Sequence, residues 1–308
     1  MLESVLLTGG TGKTGSRIAA KLATRNVRTR IASRHPQSDQ TFFDWFDAST
    51  FASALENIES VYLLAPLGVA DCLKIMQPFI DQALNAGVQR LVFLSSSLVP
   101  EGAPAFGKVH QYLHQHAPSW VVLRPSWFMQ NFSEQQHRET IRQHGAIFSA
   151  TGSGKVPFID AGDIAAVAAE ALTSQTFPSG ETVLTGSDLL SYPDVAAILT
   201  DIVGYPVRHQ PLTEEELARN FEKGGIPKEF AVLLASLDRA IANGAEARLT
   251  TEVQRITGRP PISFQTFAQN ARSCWMQCYA ATQCNDMLPP SSIRFSELNL
   301  RVRSPIGL

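Results

Sequence analysis

Cysteine is scarce in this chain of 308 residues: Cys72, Cys274, Cys278 and Cys284 are the whole supply. That is too few for a disulfide scaffold, and no two stand in the C-x-x-C spacing of a zinc site. Cys72 alone reads as a buried small apolar residue rather than a reactive thiol. Long apolar runs are missing too; no stretch reaches the ~18 residues of a membrane-spanning helix. Charge of one sign is absent: 26 Lys and Arg against 28 Asp and Glu leave −2. A basic footprint for nucleic acid is therefore not expected. His114 and His116 have the spacing of metal ligands on a strand. On the helix expected there, i and i+2 face apart, so no metal is expected. The opening Met1-Leu2-Glu3-Ser4 lacks the basic start of a signal peptide, and no cleavage site follows, so a cytoplasmic location is expected. What the chain has is core material: 44% of residues are apolar and 18% charged. Disorder needs the opposite balance. At ~150 residues per domain, about two units are expected.

Ser4-Val5-Leu6-Leu7-Thr8 is a short apolar run, as in a parallel strand buried on both faces. Gly9, Gly12 and Gly15 follow in G-x-x-G-x-x-G spacing, and then Ile18, Ala19, Leu22 and Ala23 repeat at helical intervals. Strand, glycine turn and helix in that order form a dinucleotide-binding signature. Glycine allows the tight turn, the close approach of a pyrophosphate and close helix–strand packing. The helix N-terminus offers unpaired N–H groups to phosphate.

A second apolar-rich run, Val27 to Ala32, ends in Ser33-Arg34. An NAD-binding unit places Asp or Glu here to take the ribose hydroxyl. This chain has Arg34, whose guanidinium matches a 2′-phosphate in charge and shape. The expected cofactor is NADP(H), with Lys13 as a second positive charge beside the phosphates.

Alternation continues. Strands are expected at Phe42–Phe46, Val61–Ala65, Leu91–Leu94 and Trp120–Leu123. Helices are expected from Phe51, over Val69–Ala86 and over Val109–Gln115. This predicts an α/β fold, a doubly wound parallel sheet of Rossmann type. Ligands on such sheets sit at the carboxyl ends of strands. That rim gathers the glycine turn, Arg34, Asp47, Ala65-Pro66 and Ser95–Ser97. The second half reads as mostly helical, with helices over Asp160–Leu172, from Ser191 to near Gly204, and over Pro227–Ala242. Thr213 and Glu216 form a capping box. These pieces suit a lid over the rim. The expected division is residues 1–150 as the NAD(P)-binding part, to which some later segments return, 151–277 as a smaller substrate-side part, and 278–308 as an atypical tail. The tail fits a flexible end, a swap arm or a stretch from an altered reading frame.

Taken together, Thr8–Gly15, Ser95-Ser96, Leu123-Arg124-Pro125-Ser126-Trp127-Phe128-Met129-Gln130-Asn131-Phe132 and Phe158-Ile159-Asp160-Ala161-Gly162-Asp163-Ile164-Ala165 resemble the NmrA-like branch of atypical short-chain dehydrogenases/reductases. Gly107-Lys108-Val109-His110-Gln111-Tyr112-Leu113 and the Trp127–Phe132 run make the ergot-alkaloid reductase type, agroclavine or festuclavine dehydrogenase, the most similar. The resemblance spans roughly residues 3 to 276. It implies that Gly9, Thr11, Gly12, Lys13, Thr14 and Gly15 hold the cofactor phosphates, and that Ser33 and Arg34 hold the 2′-phosphate. It implies Asp47 at the adenine, Ala65, Pro66 and Leu67 along the ribose and nicotinamide, Ser95 to Ser97 beside the nicotinamide, and Trp127, Phe128 and Asn131 in the substrate wall.

The larger superfamily relies on a Tyr-x-x-x-Lys pair for proton transfer. Of the five tyrosines here, none has Lys four positions on; Tyr112 is followed by His116. Reducing a ketone leaves an alkoxide that needs a positioned acid. Reducing an iminium yields a neutral amine and needs no proton in that step. A quinone is intermediate, because its anion is stabilised. Small electron-poor substrates, a cyclic iminium first, are therefore favoured over plain ketones. Candidate substitutes near the missing pair are Lys108 and His110, with Ser97 as a hydrogen-bonding partner for substrate. Trp127 and Phe128 could stack on a flat or cationic substrate. Two alternatives stand beside this reading, a quinone reductase and a non-catalytic NADP(H)-sensing regulator. A sugar-nucleotide epimerase is disfavoured, because it ordinarily needs the Tyr/Lys pair.

Overall fold

The computed structural model describes residues 4–66 and 68–276. The expectations for Leu67, Tyr279 and the 278–308 tail lie outside these residues. The first half runs β1 (Ser4–Thr8), α1 (Lys13–Ala23), β2 (Arg28–Ser33), β3 (Gln40–Phe42), α2 (Phe51–Leu55), β4 (Ser60–Leu63), α3 (Cys72–Asn85), β5 (Arg90–Leu94), α4 (Phe106–His116) and β6 (Trp120–Pro125). The second half runs α5 (Gln130–Ser133), α6 (Gln136–His144), β7 (Ala146–Ser149), α7 (Ala161–Thr173), β8 (Gly180–Leu184), α8 (Tyr192–Val203), β9 (Arg208–Pro211), α9 (Glu214–Lys223), α10 (Lys228–Ala242), α11 (Glu252–Thr257) and α12 (Phe264–Ala271).

Seven strands pair in the order β3-β2-β1-β4-β5-β6-β8, every pair parallel. The chain leaves β1 toward β2 and β3, then returns to the other side of β1 with β4. The switch point therefore opens between the carboxyl ends of β1 and β4, where such sheets bind ligands. Side chains of β1 alternate between two cores. Val5 and Leu7 pack with α1 and α7, and Leu6 packs with α3. The doubly wound expectation is met.

Several elements differ from expectation. The third strand stops at Phe42. Phe43 and Trp45 instead turn edge-on to Phe79, at 5.1 and 5.3 Å between ring centroids. The β8 edge strand was not foreseen, because Gly180 and Glu181 break its apolar pattern. Helix α7 lies under the sheet against α1 and β4–β6 rather than over the rim. It is apolar around most of its circumference, and its small side chains let neighbours approach closely. Arg90 secures its end, donating to the carbonyls of Ala171 (3.0 Å), Ser174 and Phe177 (3.1 Å). A guanidinium there also complements the negative end of the helix dipole.

Most of the remaining elements form a cap around a third core that includes Met129, Phe132, Phe158, Tyr192, Phe264 and Trp275. A small parallel pair, β7 and β9, belongs to it. The Trp275 indole donates to the Phe132 carbonyl at 2.9 Å, pinning the end of the described chain to this core. Helices α9 and α10 add a small fourth core at Leu217, Ala218 and Ala235, and α11 packs back on α7 and β8.

Candidate active site

The glycine turn is built by local bonds. Thr8 Oγ1 donates to the Tyr62 carbonyl at 2.9 Å and accepts from the Leu64 N–H at 2.8 Å, extending the β1–β4 pairing beyond the strands. Gly9 then takes φ +68°, and the Gly12 N–H closes the turn on its carbonyl at 2.9 Å. A Cβ on Gly15 would stand 2.4 Å from the Gly9 oxygen and 2.7 Å from Gly10 Cα, so α1 can pack this tightly only with glycine there. No side chain caps the N-terminus of α1. Its first N–H groups stay available to an anion.

Lys13 carries the strongest mark of a missing partner. Its Nζ is buried without a hydrogen bond and stands 5.6 Å over the Phe128 ring. Burial pulls the ammonium down to about 8, opposed by Glu134. A cation at a helix N-terminus also opposes the helix dipole. A phosphate would offset both penalties, so these residues fit a phosphate-bearing cofactor. Thr11 is exposed at the crest of the turn. The Thr14 hydroxyl is turned inward, accepting from the Tyr62 hydroxyl at 2.9 Å.

One strand over, β2 ends at Ser33, whose Oγ accepts from the His35 N–H at 3.1 Å. Arg28 and Arg30 spend their guanidinium groups on the carbonyls of Asn57 and of Ser53, Ala54 and Glu56. Arg34 is exposed and has no ion pair among the described residues. Asp47 caps the turn at Ala48–Thr50, accepting from Ser49 N at 3.0 Å and Ser49 Oγ at 2.6 Å. Those bonds hold its carboxyl below the usual range. Ala65 is buried and Pro66 half-buried just past β4.

The carboxyl ends of β5 and β6 meet a residue that the sequence did not single out. Glu246, 1% exposed, accepts from Ser97 Oγ at 2.7 Å through Oε1 and from Ser126 Oγ at 2.7 Å through Oε2. The Ser97 carbonyl accepts from Arg124 at 2.8 Å and Arg248 at 3.0 Å. With its proton committed to Glu246, Ser97 can offer a substrate a lone pair. Ser95 Oγ is buried without a partner.

Lys108 is exposed in the first turn of α4. His110 is buried against Trp120, at the start of β6, with 5.4 Å between rings. Its nearest carboxylate oxygens belong to Glu181 at 3.8 Å and Glu101 at 4.0 Å, and neither ring nitrogen is hydrogen-bonded. Burial lowers its pKa despite those carboxylates. The structure thus brings Ser97 to Glu246 and packs His110 on Trp120, one carboxylate away from Arg124.

Trp127 is half-buried just past β6. Phe128 lies beneath Lys13, 2% exposed, rather than in an open wall. Asn131 on α5 is 4% exposed, and its Oδ1 has no partner. Among the described residues no group of His, Cys, Asp or Glu is placed to hold a metal, and no helix is long and apolar enough to cross a membrane.

The comparisons agree with this architecture. Residues 1–247 match the model of the NmrA-like family. Agroclavine dehydrogenase of Claviceps fusiformis is 41% identical over 286 residues, covering 89% of this chain and 99% of that protein. The NAD(P)H azoreductase of Xenophilus azovorans is 30% identical, covering 86% and 96%. Among solved structures, the NADPH-dependent quinone oxidoreductase QOR2 of Escherichia coli superimposes with a TM-score of 0.74 at 23% identity, covering 86% of this chain and 99% of that one, and so shares the fold. The chain belongs to the NmrA-like family.

Proposed function

We propose that the protein is an NADPH-dependent oxidoreductase that transfers hydride to a small electron-poor molecule, with cyclic iminium ions as the preferred class. One observation carries the substrate class: no tyrosine–lysine proton-donor pair stands at the rim among the described residues. The Tyr62 hydroxyl is buried on Thr14, and burial raises its pKa. The Tyr112 hydroxyl is spent on Asp81, and its pKa is raised by burial and by that carboxylate. Tyr192 and Tyr205 belong to the cap core.

When bound, NADPH supplies the hydride. The N–H groups of the glycine turn and Lys13 would hold its pyrophosphate, and Arg34 with Ser33 its 2′-phosphate. Ala65 and Pro66 would line the ribose side, and Trp127 would wall the substrate. An iminium carbon accepts the hydride, the π pair moves to nitrogen, and a neutral amine leaves with no proton required. The named relatives, one an agroclavine dehydrogenase and one an azoreductase, support nitrogen compounds as substrates. The quinone oxidoreductase neighbour keeps quinones as the second class to assay.

The test is a panel of iminium ions, quinones and ketones mixed with protein and NADPH, followed by loss of reduced-nicotinamide absorbance. Turnover of iminium ions above ketones is expected. Tight NADPH binding with no turnover on the whole panel would replace the enzyme with a cofactor sensor.

A further inference from the structure

Charged groups from α4, β6, β8 and the loop before α4 meet beside the Ser96–Ser97 segment that follows β5. His110, on α4, is 1% exposed. Its Nδ1 stands 3.8 Å from Oε2 of Glu181 on β8, and its Nε2 stands 4.0 Å from Oε2 of Glu101 in the loop. Both gaps exceed hydrogen-bond length, and neither nitrogen has a partner. A neutral imidazole has one N–H, so one of its nitrogens must face a carboxylate acceptor with a lone pair. Only the imidazolium has a donor for each carboxylate.

Both carboxylates are shared. Glu101 Oε1 lies 2.9 Å from Nδ1 of His114, one turn further along α4. Glu181 Oε2, the same oxygen that faces His110, takes Nη1 of Arg124 at 2.6 Å. Arg124 reaches the rim with its other nitrogens. Its Nη2 donates to the Ser97 carbonyl at 2.8 Å, and its Nε donates to the Ser96 carbonyl at 3.3 Å. Arg124 is buried and tied to two carbonyls, whereas Glu181 is exposed. The groups that act on the His110 ring are therefore Glu101, Glu181 from β8, Arg124 from β6 and His114 from its own helix.

We infer that His110 is a positioning residue operated by a proton: its imidazolium draws Glu181 away from Arg124 and so changes the hold of Arg124 on the Ser96 and Ser97 carbonyls. The distances set out the steps. Burial favours the neutral ring, so the change sets in on the acid side of the ordinary histidine value of 6.5. Proton uptake gives both nitrogens a donor and the ring a charge. Closing the gap to Glu181 then takes roughly 1 Å of movement. Glu181 is the side that moves, because Arg124 is fixed by two carbonyls. One oxygen now serves two cations, and the Arg124–Glu181 bond weakens. Any effect on turnover rests on the reductase reading, because the segment that Arg124 grips carries Ser97. The coupling itself does not.

The experiment is NMR of the whole protein, with 15N in the backbone and 13C in the histidine rings, titrated from about pH 8 to about pH 4.5. The His110 ring resonance is identified by its loss in His110→Asn. In wild type the Ser96 and Ser97 amides should shift with the same midpoint as the His110 ring. In Glu181→Gln, a change at an exposed position, the two amides should lose that titration. In His114→Gln they should keep it. Amides that stay still while His110 titrates in wild type overturn the coupling without any variant, as does a ring that takes up no proton over this range. Amides that still follow the ring in Glu181→Gln overturn it as well, because the carboxylate is then not the link. No cofactor, substrate or turnover enters the measurement, so failure of the substrate panel would sink the enzyme reading and leave this one standing.

Discussion

Ser97 donates its hydroxyl hydrogen to Glu246 at 2.7 Å, joining positions 149 residues apart. The same carboxylate takes Ser126 with its other oxygen, so one cap residue fastens the ends of both β5 and β6. Glu246→Ala should leave two buried hydroxyls unpaired and destabilise the fold by roughly 2–4 kcal/mol. Glu246→Gln keeps one acceptor oxygen and should lose about half as much. Urea unfolding of the three proteins checks this; equal midpoints would show the clamp to be energetically silent.

Arg34 should separate the two nicotinamide cofactors. Its guanidinium is free where Arg28 and Arg30 are engaged with carbonyls. Charge-assisted bonds of ~1.5–3 kcal/mol correspond to about 10- to 100-fold in affinity. Arg34→Ala should weaken NADPH by that factor and leave NADH nearly unchanged in fluorescence titration. Parallel loss of both would remove Arg34 from the 2′-phosphate.

These two residues also show what was legible. Arg34 and the glycine turn could be read because strand, turn and helix are local, and glycine spacing states what the backbone must do. Glu246 could not. Its partners are remote, and Asn243-Gly244-Ala245 before it reads as an ordinary turn. The aromatic run at Phe42–Phe46 imitated a strand, because ring clusters and strands use the same residues. Helix α7 was read as a lid element, because its place against α1 is fixed by tertiary packing that its own sequence does not state.

His137 should make the protein sensitive to acid. Its ring is stacked on Phe132 at 5.0 Å, and burial holds its pKa down to about 3. The unfolded chain therefore takes up the proton first as pH falls below about 6.5. The stability tied to the neutral ring is complete above that pH and is lost as pH falls toward about 3. By pH 4 the loss should be on the order of 3 kcal/mol. His137→Phe keeps the stack and should remove that slope. Subtracting the two stability profiles cancels the other titrating groups, including Asp238, whose raised pKa acts with the opposite sign. Profiles that run parallel from neutral to acid would show that the ring is reached by water.

Lys13 should reveal a conflict between stability and binding. Its ammonium is desolvated and without a hydrogen bond, with a pKa of about 8 against an ordinary 10.5. A lowered lysine pKa means that the charged form is disfavoured in the fold. The penalty is present below about 8 and fades as pH rises toward 10.5. At neutral pH it is on the order of 3 kcal/mol. Lys13→Met fills the same space over Phe128 without the charge, so the variant free of cofactor should melt at a higher temperature than wild type. Saturating NADPH should reverse the order, because wild type regains through phosphate pairing what it loses when empty. Melting curves with and without NADPH decide the matter. A variant less stable than wild type in both conditions would mean that the ammonium is already satisfied without the cofactor.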